Sequence, residues 1–249
     1  MVRLRIFTTP EALSQALARE IARALAAKPS LVLGLPTGRT PIPLYRELVR
    51  LYASGGIDFS RATTFNLDEF LGMAPTDPRS YHAFMRRHLF DGVNLPRRQI
   101  HFLNGATGHA ARECARYERA IARAGGIDLQ ILGLGVNGHI GFNEPARALV
   151  AGTHPVTLTA ATRRANAAFF GGASVVPSEA LSMGMATIFR AKRIVLVSTG
   201  ATKARCVARM LAGRITTRLP ASFLQLHSHA EVWLDGAAAS RLKTRIAAL

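Results

Sequence analysis

The sequence predicts an α/β fold: an open, mostly parallel sheet flanked by helices on both faces. Three observations carry that expectation. Short apolar runs of strand length alternate with periodic segments of helix length, the order expected of βαβ units. No internal repeat or linker interrupts this alternation, so one domain spanning 1–249 is expected. The residues with most chemical potential fall just after strand-like runs, where open sheets bind their ligands.

Leu4–Phe7 reads as a strand. Thr9 then caps a helix to about Ala27, with Pro10 at its first position and Glu11 in its first turn. Ser30–Leu35 is a strand, followed by the turn PTGRTP and a helix from Ile42 to Ala53. Ala62–Asn66 is a strand that runs into Asp68-Glu69. Ser80–Phe90 is helical, Gln99–Leu103 a short strand and Ala110–Ala124 a helix. Asp128–Leu134 is an apolar strand ending in GLGVNGHIGFNEP. Residues 146–176 lack acidic side chains and show no clear period, the composition of a mobile segment. Glu179–Arg190 reads as helix, Ile194–Thr199 as strand, Thr202–Leu211 as helix and Ala230–Leu234 as a last strand. Ser222–Leu226 is ambiguous.

Composition narrows the function class. Hydrophobic residues make up 49% of the chain and charged ones 19%, which excludes wholesale disorder. The net charge of +17 comes from 28 Arg and only 4 Lys, scattered at helical positions and not gathered into a nucleic-acid motif. No nucleic-acid partner is expected, whereas small anionic ligands are favoured. The N-terminus has no signal-peptide core, and no apolar run approaches the roughly 18 residues of a membrane span. Cys114 and Cys206 stand alone. A cytoplasmic protein without metal or membrane partner is the expectation.

Four motifs hold the chemistry. LPTGRTP lies between a strand and a helix, where backbone N–H groups with threonine hydroxyls form an anion cradle; it lacks the Gly-Lys-Ser/Thr of a Walker loop and reads equally as an ordinary turn. In NLDEF, adjacent carboxylates at a strand end suit a general base, although a turn cap is the commoner fate of such an Asp. GLGVNG spells a dinucleotide fingerprint but fails its context: no helix follows, and no acidic residue occurs between Ala146 and Ser178. What remains there is His139 with two possible partners, Glu144 and Asn137, to fix its tautomer. The cations of Thr162-Arg163-Arg164 and Gly200-Ala201-Thr202-Lys203 suit a phosphate clamp, or simply a solvated surface. No zinc spacing joins the histidines, and no G-x-S-x-G elbow is present.

Taken in order, LGLPTGRTPIPLY, TFNLDEF, SYHAFMRRHLF, GLGVNGHIGFNEP, TRRANAAFF, STGATK and SFLQLH resemble the glucosamine-6-phosphate deaminase family, from about residue 30 to 235. The resemblance implies a modified Rossmann-like sheet with a lid at about 146–187. It implies conversion of glucosamine 6-phosphate and water to fructose 6-phosphate and ammonia, in amino-sugar catabolism, with no cofactor and no metal. It assigns Asp68 as the base between C2 and C1, and His139, held by Glu144, to ring opening. Asn137 occupies a position that is Asp in some members. Thr37, Gly38, Arg39, Thr40, Arg163 and Lys203 would hold the phosphate.

The segment ARALVAGTHPVTLT carries Arg147 but otherwise His154 and Val156, and the chain ends at Leu249, so a non-allosteric enzyme is expected. Alternatives are a galactosamine-6-phosphate isomerase, a 6-phosphogluconolactonase, which has no use for a C2 base, and a sugar-phosphate-sensing domain, which would carry a DNA-binding segment before residue 4. Oligomeric state is left open.

Overall fold

The structure, a computed structural model, describes residues 2–242. Seven parallel strands form the main sheet: β1 (Arg3–Phe7), β2 (Val32–Leu35), β3 (Thr63–Asn66), β5 (Ile100–His101), β6 (Leu129–Gly133), β9 (Arg193–Ser198) and β10 (Ala230–Asp235). Their order is β1-β10-β9-β6-β2-β3-β5. Helices α1 (Pro10–Ala27), α2 (Ile42–Ala53) and α3 (Tyr81–His88) cover one face. Helices α4 (Ala110–Arg123), α6 (Met185–Phe189), α7 (Ala204–Ala212) and α8 (Gly236–Ala239) cover the other.

Handedness explains this division. Connections from β1 to β2, β2 to β3 and β3 to β5 run one way across the sheet, while those from β5 to β6, β6 to β9 and β9 to β10 run back. Right-handed crossovers therefore place the two sets of helices on opposite faces. The direction reverses between β6 and β2, so a crevice opens beyond their carboxyl ends. The turn 36–41 and the loop 134–145 lie on its two sides.

Residue alternation matches the layers. In β6, Leu129 and Ile131 join the core under α1 and α2, while Leu132 joins the core under α4 and α7. On α1, Leu13, Leu17, Ile21 and Leu25 form one buried stripe, each contributing roughly 2 kcal/mol of burial. Thr9 accepts from the Ala12 N–H, the cap the sequence predicts. Among the described residues no helix is long and apolar enough to cross a membrane.

A second sheet was not legible in the sequence. β4 (Asp68–Phe70) pairs antiparallel with β8 (Glu179–Ser182), which pairs antiparallel with β7 (His154–Thr157). The helical reading of 179–190 is thus corrected: Glu179–Ser182 is strand, and only Met185–Phe189 is helix. Cross-strand pairing outweighs the local helical period there. The segment read as mobile contains β7 and the helix α5 (Ala160–Phe170), capped by Thr159. Phe70, Tyr81, Phe142, Leu158 and Phe170 pack together as a third apolar cluster beneath it. The ambiguous stretch at 222–226 belongs to a 3-10 helix, Pro220–Leu226.

Candidate active site

Two buried tyrosines fix the strand ends from which the site hangs. The Tyr45 hydroxyl on α2 donates to the Pro36 carbonyl, one residue before the TGRT turn. On α4, the Tyr117 hydroxyl donates to the Asn66 carbonyl at 2.6 Å, two residues before Asp68. Asn66 in turn donates its side-chain amide to the Leu35 carbonyl at 3.1 Å, joining the ends of β3 and β2. A hydrogen bond of this kind contributes about 1 kcal/mol. None of the three was singled out from sequence, because their partners lie 9 to 51 residues away.

The adjacent carboxylates take different roles. Glu69 accepts from the backbone N–H groups of Phe70, Tyr81 and His82 at 2.9, 3.0 and 2.9 Å, so it holds the first turn of α3. Burial still raises its carboxyl to about 7 against the pull of those donors. Asp68 is 6% exposed, and among the described residues no group donates a hydrogen bond to its carboxylate. Burial, with the neighbouring charge of Glu69 second, raises it to about 8.

Asp68 meets the loop GLGVNGHIGFNEP at Gly141. Gly141 has φ +57, and a Cβ built there would lie 3.0 Å from Ser182 Oγ and 3.7 Å from Asp68 Oδ2, so a side chain at 141 would strain the turn and press on Ser182 while sitting in contact with the carboxylate. Ser182, opposite Asp68 in the ladder, accepts from the Phe142 N–H at 3.1 Å. Asn143 donates to the carbonyls of Ile140 and Met183 at 2.9 and 2.8 Å. The 140–143 turn is thereby tied to β8 and faces Asp68.

His139 lies flat over Gly135, whose missing Cβ would collide with the imidazole. Its Nδ1 is 3.4 Å from Glu144 Oε1. Asn137, left as a second possible partner of the ring, instead donates to Glu144 Oε2 at 2.6 Å, while its own carbonyl oxygen accepts from the His139 N–H at 3.2 Å. Thr162 on α5 donates to Glu144 Oε1. Burial opposes ionisation of Glu144, but His139, Thr162 and Asn137 outweigh it and hold the carboxyl down at about 2. Thr162 is a site residue that sequence reading missed; the neighbouring arginines drew attention to charge and away from the hydroxyl.

The anion-binding candidates are spread around the crevice. Thr37, Gly38, Arg39 and Thr40 precede α2, whose N-terminus, unlike those of α1, α3 and α5, carries no side-chain cap. Thr37 meets the Tyr81 hydroxyl, which also lies 3.4 Å from Asn166 Oδ1 on α5. Lys203 stands in the turn after β9, and burial pulls its ammonium below the usual range. Arg39 is exposed. Arg163 points into its own segment, its guanidinium 3.4 Å from the Ala173 carbonyl oxygen. The geometry thus joins Asn137, His139 and Glu144 directly and places Asp68 against the 140–143 turn of the same loop, while Arg163 stands apart.

Comparison with known proteins gives a consistent outcome. Residues 8–233 match the family model of glucosamine-6-phosphate isomerases/6-phosphogluconolactonase. A glucosamine-6-phosphate deaminase of Thermoanaerobacter sp. (strain X514) is 45% identical over 230 residues, covering 92% of this chain and 91% of that protein. The solved structure of a monomeric glucosamine-6-phosphate deaminase superposes with a TM-score of 0.94 at 42% identity, over 96% of this chain and 100% of the other. The 6-phosphogluconolactonase from Trypanosoma cruzi shares the fold, with a TM-score of 0.77 over 98% of this chain and 97% of the other, but only 18% identity.

Proposed function

The chain belongs to the glucosamine-6-phosphate isomerase/6-phosphogluconolactonase family, and from that premise we propose that it converts glucosamine 6-phosphate and water into fructose 6-phosphate and ammonia. The observation that carries this reading is the pairing of an isolated, buried carboxylate with a separate histidine–carboxylate unit at one crevice. Aldose–ketose isomerisation needs both: one base within reach of C1 and C2, and another group to move the ring-oxygen proton.

In this reading His139, aimed by Glu144, moves the proton between O1 and the ring oxygen as the pyranose opens. Asp68 then removes the proton from C2 of the open aldehyde, leaving a 1,2-enolamine. Return of that proton to C1 gives an imine at C2, with C1 reduced to the alcohol level. Water adds to the imine carbon, and ammonia leaves as the carbonyl of fructose 6-phosphate forms. A raised Asp68 suits this role, because the cationic amine of the substrate favours its ionised form on binding. The uncapped α2 N-terminus with Thr37, Gly38, Arg39 and Thr40, together with Lys203 and Arg163, would hold the phosphate. Residues 146–187 would act as the lid, bringing Arg163 to it and shielding the enolic intermediate from water.

The reading extends to regulation and place. In β7, His154 Nδ1 is taken by the Gly152 carbonyl at 3.0 Å and Val156 packs into the apolar cluster, which supports a non-allosteric enzyme with hyperbolic saturation. A free sugar phosphate as substrate, with Cys114 and Cys206 as buried thiols, supports a cytoplasmic setting. The deciding assay gives purified protein glucosamine 6-phosphate and measures ammonia and fructose 6-phosphate together; equal release of both is expected. No turnover, with rapid hydrolysis of 6-phosphogluconolactone instead, would overturn the proposal.

A further inference from the structure

The contact between α5 and Glu144 lies outside the roles argued so far. Thr162 is 4% exposed, in the first turn of α5. Its hydroxyl accepts from the Thr159 hydroxyl at 3.2 Å, and Thr159 Oγ1 accepts from the Thr162 N–H at 3.2 Å as the helix cap. The same Thr162 hydroxyl donates to Glu144 Oε1. That oxygen is also the one 3.4 Å from His139 Nδ1, whereas Oε2 is engaged by Asn137. A relay of hydroxyls therefore runs from the start of α5 to the carboxylate that orients the imidazole.

We propose that Thr162 is a positioning residue for the His139–Glu144 pair, so that the seating of α5 over the crevice sets the geometry of the acid/base unit. The inference rests on the functional reading above, but concerns a residue that reading does not use. The Glu144 side chain turns about three bonds, so a donor on one oxygen leaves the carboxylate free to swing about that contact, and donors on both oxygens are needed to fix it. Asn137 rides on the loop itself and fixes Oε2 wherever α5 lies. Only Thr162 ties Oε1 to the segment 146–187, and Oε1 is the atom the imidazole must find. Lifting α5 removes the Thr162 donor and releases Oε1, so acid/base competence and closure become one event. The Tyr81 hydroxyl, between Thr37 and Asn166 of α5, gives the same helix a parallel link toward the anion turn.

The test compares Thr162→Val, which keeps shape and loses the hydroxyl, with Thr162→Ser, which keeps the hydroxyl. Thr162→Val should lower kcat on glucosamine 6-phosphate about tenfold, the effect of one charge-assisted hydrogen bond, with KM within about twofold. Thr162→Ser should restore kcat to within about threefold of the parent. Unchanged kcat in the valine variant, or a rise in KM alone, overturns the proposal in favour of plain helix packing. A second arm follows the carboxyl carbon of Glu144 by carbon-13 NMR during acid titration of the ligand-free protein. Its midpoint should move up in Thr162→Val and return in Thr162→Ser; an unmoved midpoint overturns the proposal. If the parent protein fails to turn over glucosamine 6-phosphate, the functional reading falls, and the titration still decides the role of Thr162.

Discussion

Asp68, the first residue of β4, and Glu144, in the loop after β6, lie at the same end of the main sheet, yet burial raises the first to about 8 while hydrogen bonds hold the second at about 2. The difference is one of depth and of partners together. Asp68 has lost water and gained a like charge beside it; Glu144 has lost some water and gained an imidazole, a hydroxyl and an amide. Separating two carboxylates in this way is how one site obtains both a proton acceptor and a fixed anion. The contrast teaches which residue should react and which should only orient.

Removing the proposed base, Asp68, should have the largest effect. Asp68→Asn is expected to cut kcat about 10³-fold and to abolish solvent-hydrogen exchange at C2, while sugar-phosphate binding persists. Its stability should move the other way. Asp68 is raised from 3.8, so the stability tied to its neutral form is complete below 3.8 and is lost as pH rises toward 8. The melting temperature of Asp68→Asn should therefore gain on the parent between pH 4 and pH 8. Normal exchange at C2 would remove Asp68 from its role.

The pH profile of the parent gives the next largest effect. If ionised Asp68 is the base in the free enzyme, log kcat/KM should rise with unit slope to about pH 8 and then level off. That is a loss of about 50-fold between pH 8 and pH 6. The kcat limb should lie at lower pH, because the bound amine favours the carboxylate. A flat kcat/KM over this range breaks the comparison.

Glu144→Gln should cost less, about 10- to 100-fold in kcat, since it removes an orienting charge and leaves the base in place. The stability Glu144 contributes is present above 4.5 and lost as pH falls through about 2, so the gap in melting temperature between parent and variant should shrink toward acid pH. Asn137→Asp should be the mildest, lowering kcat only a few-fold. It replaces the donor 2.6 Å from Glu144 Oε2 with a second carboxylate, so the two would share a proton and the midpoint of the Glu144 carboxyl carbon in an acid titration followed by NMR would move to higher pH. An unmoved midpoint would show that the amide is not a necessary donor.

Much of the scaffold was readable because its signals are local. The strands ending at Leu35, Asn66, Gly133 and Ser198 carry their own apolar runs, and Thr9 and Pro10 announce α1. The placing of Asp68, His139 and Glu144 at one end of the sheet was readable because their motifs follow strand-like runs. What escaped depends on distant partners. Glu69 looked like a twin of Asp68, but its own neighbour Phe70 and two N–H groups of α3, those of Tyr81 and His82, hold it. Residues 179–182 have no alternation of their own, and only pairing with β4 and β7 makes them a strand. Thr162 meets Glu144 across 18 residues of sequence, a distance no period or spacing encodes.

The ladder formed by β4, β8 and β7 also dictates where this chain can change length. Ser182 stands opposite both Asp68 and His154. Side chains in a strand alternate faces with a period of two, so inserting or deleting a single residue within 179–182 would turn every pair over and swap the face that Asp68 shares with the 140–143 turn. The stretch after Phe170 joins α5 to β8 through a single 3-10 turn, Ala173–Val175, and can lengthen without touching that registration. Relatives that diverge in size should therefore accumulate insertions at 171–175 and keep the four-residue spacing of β8 intact.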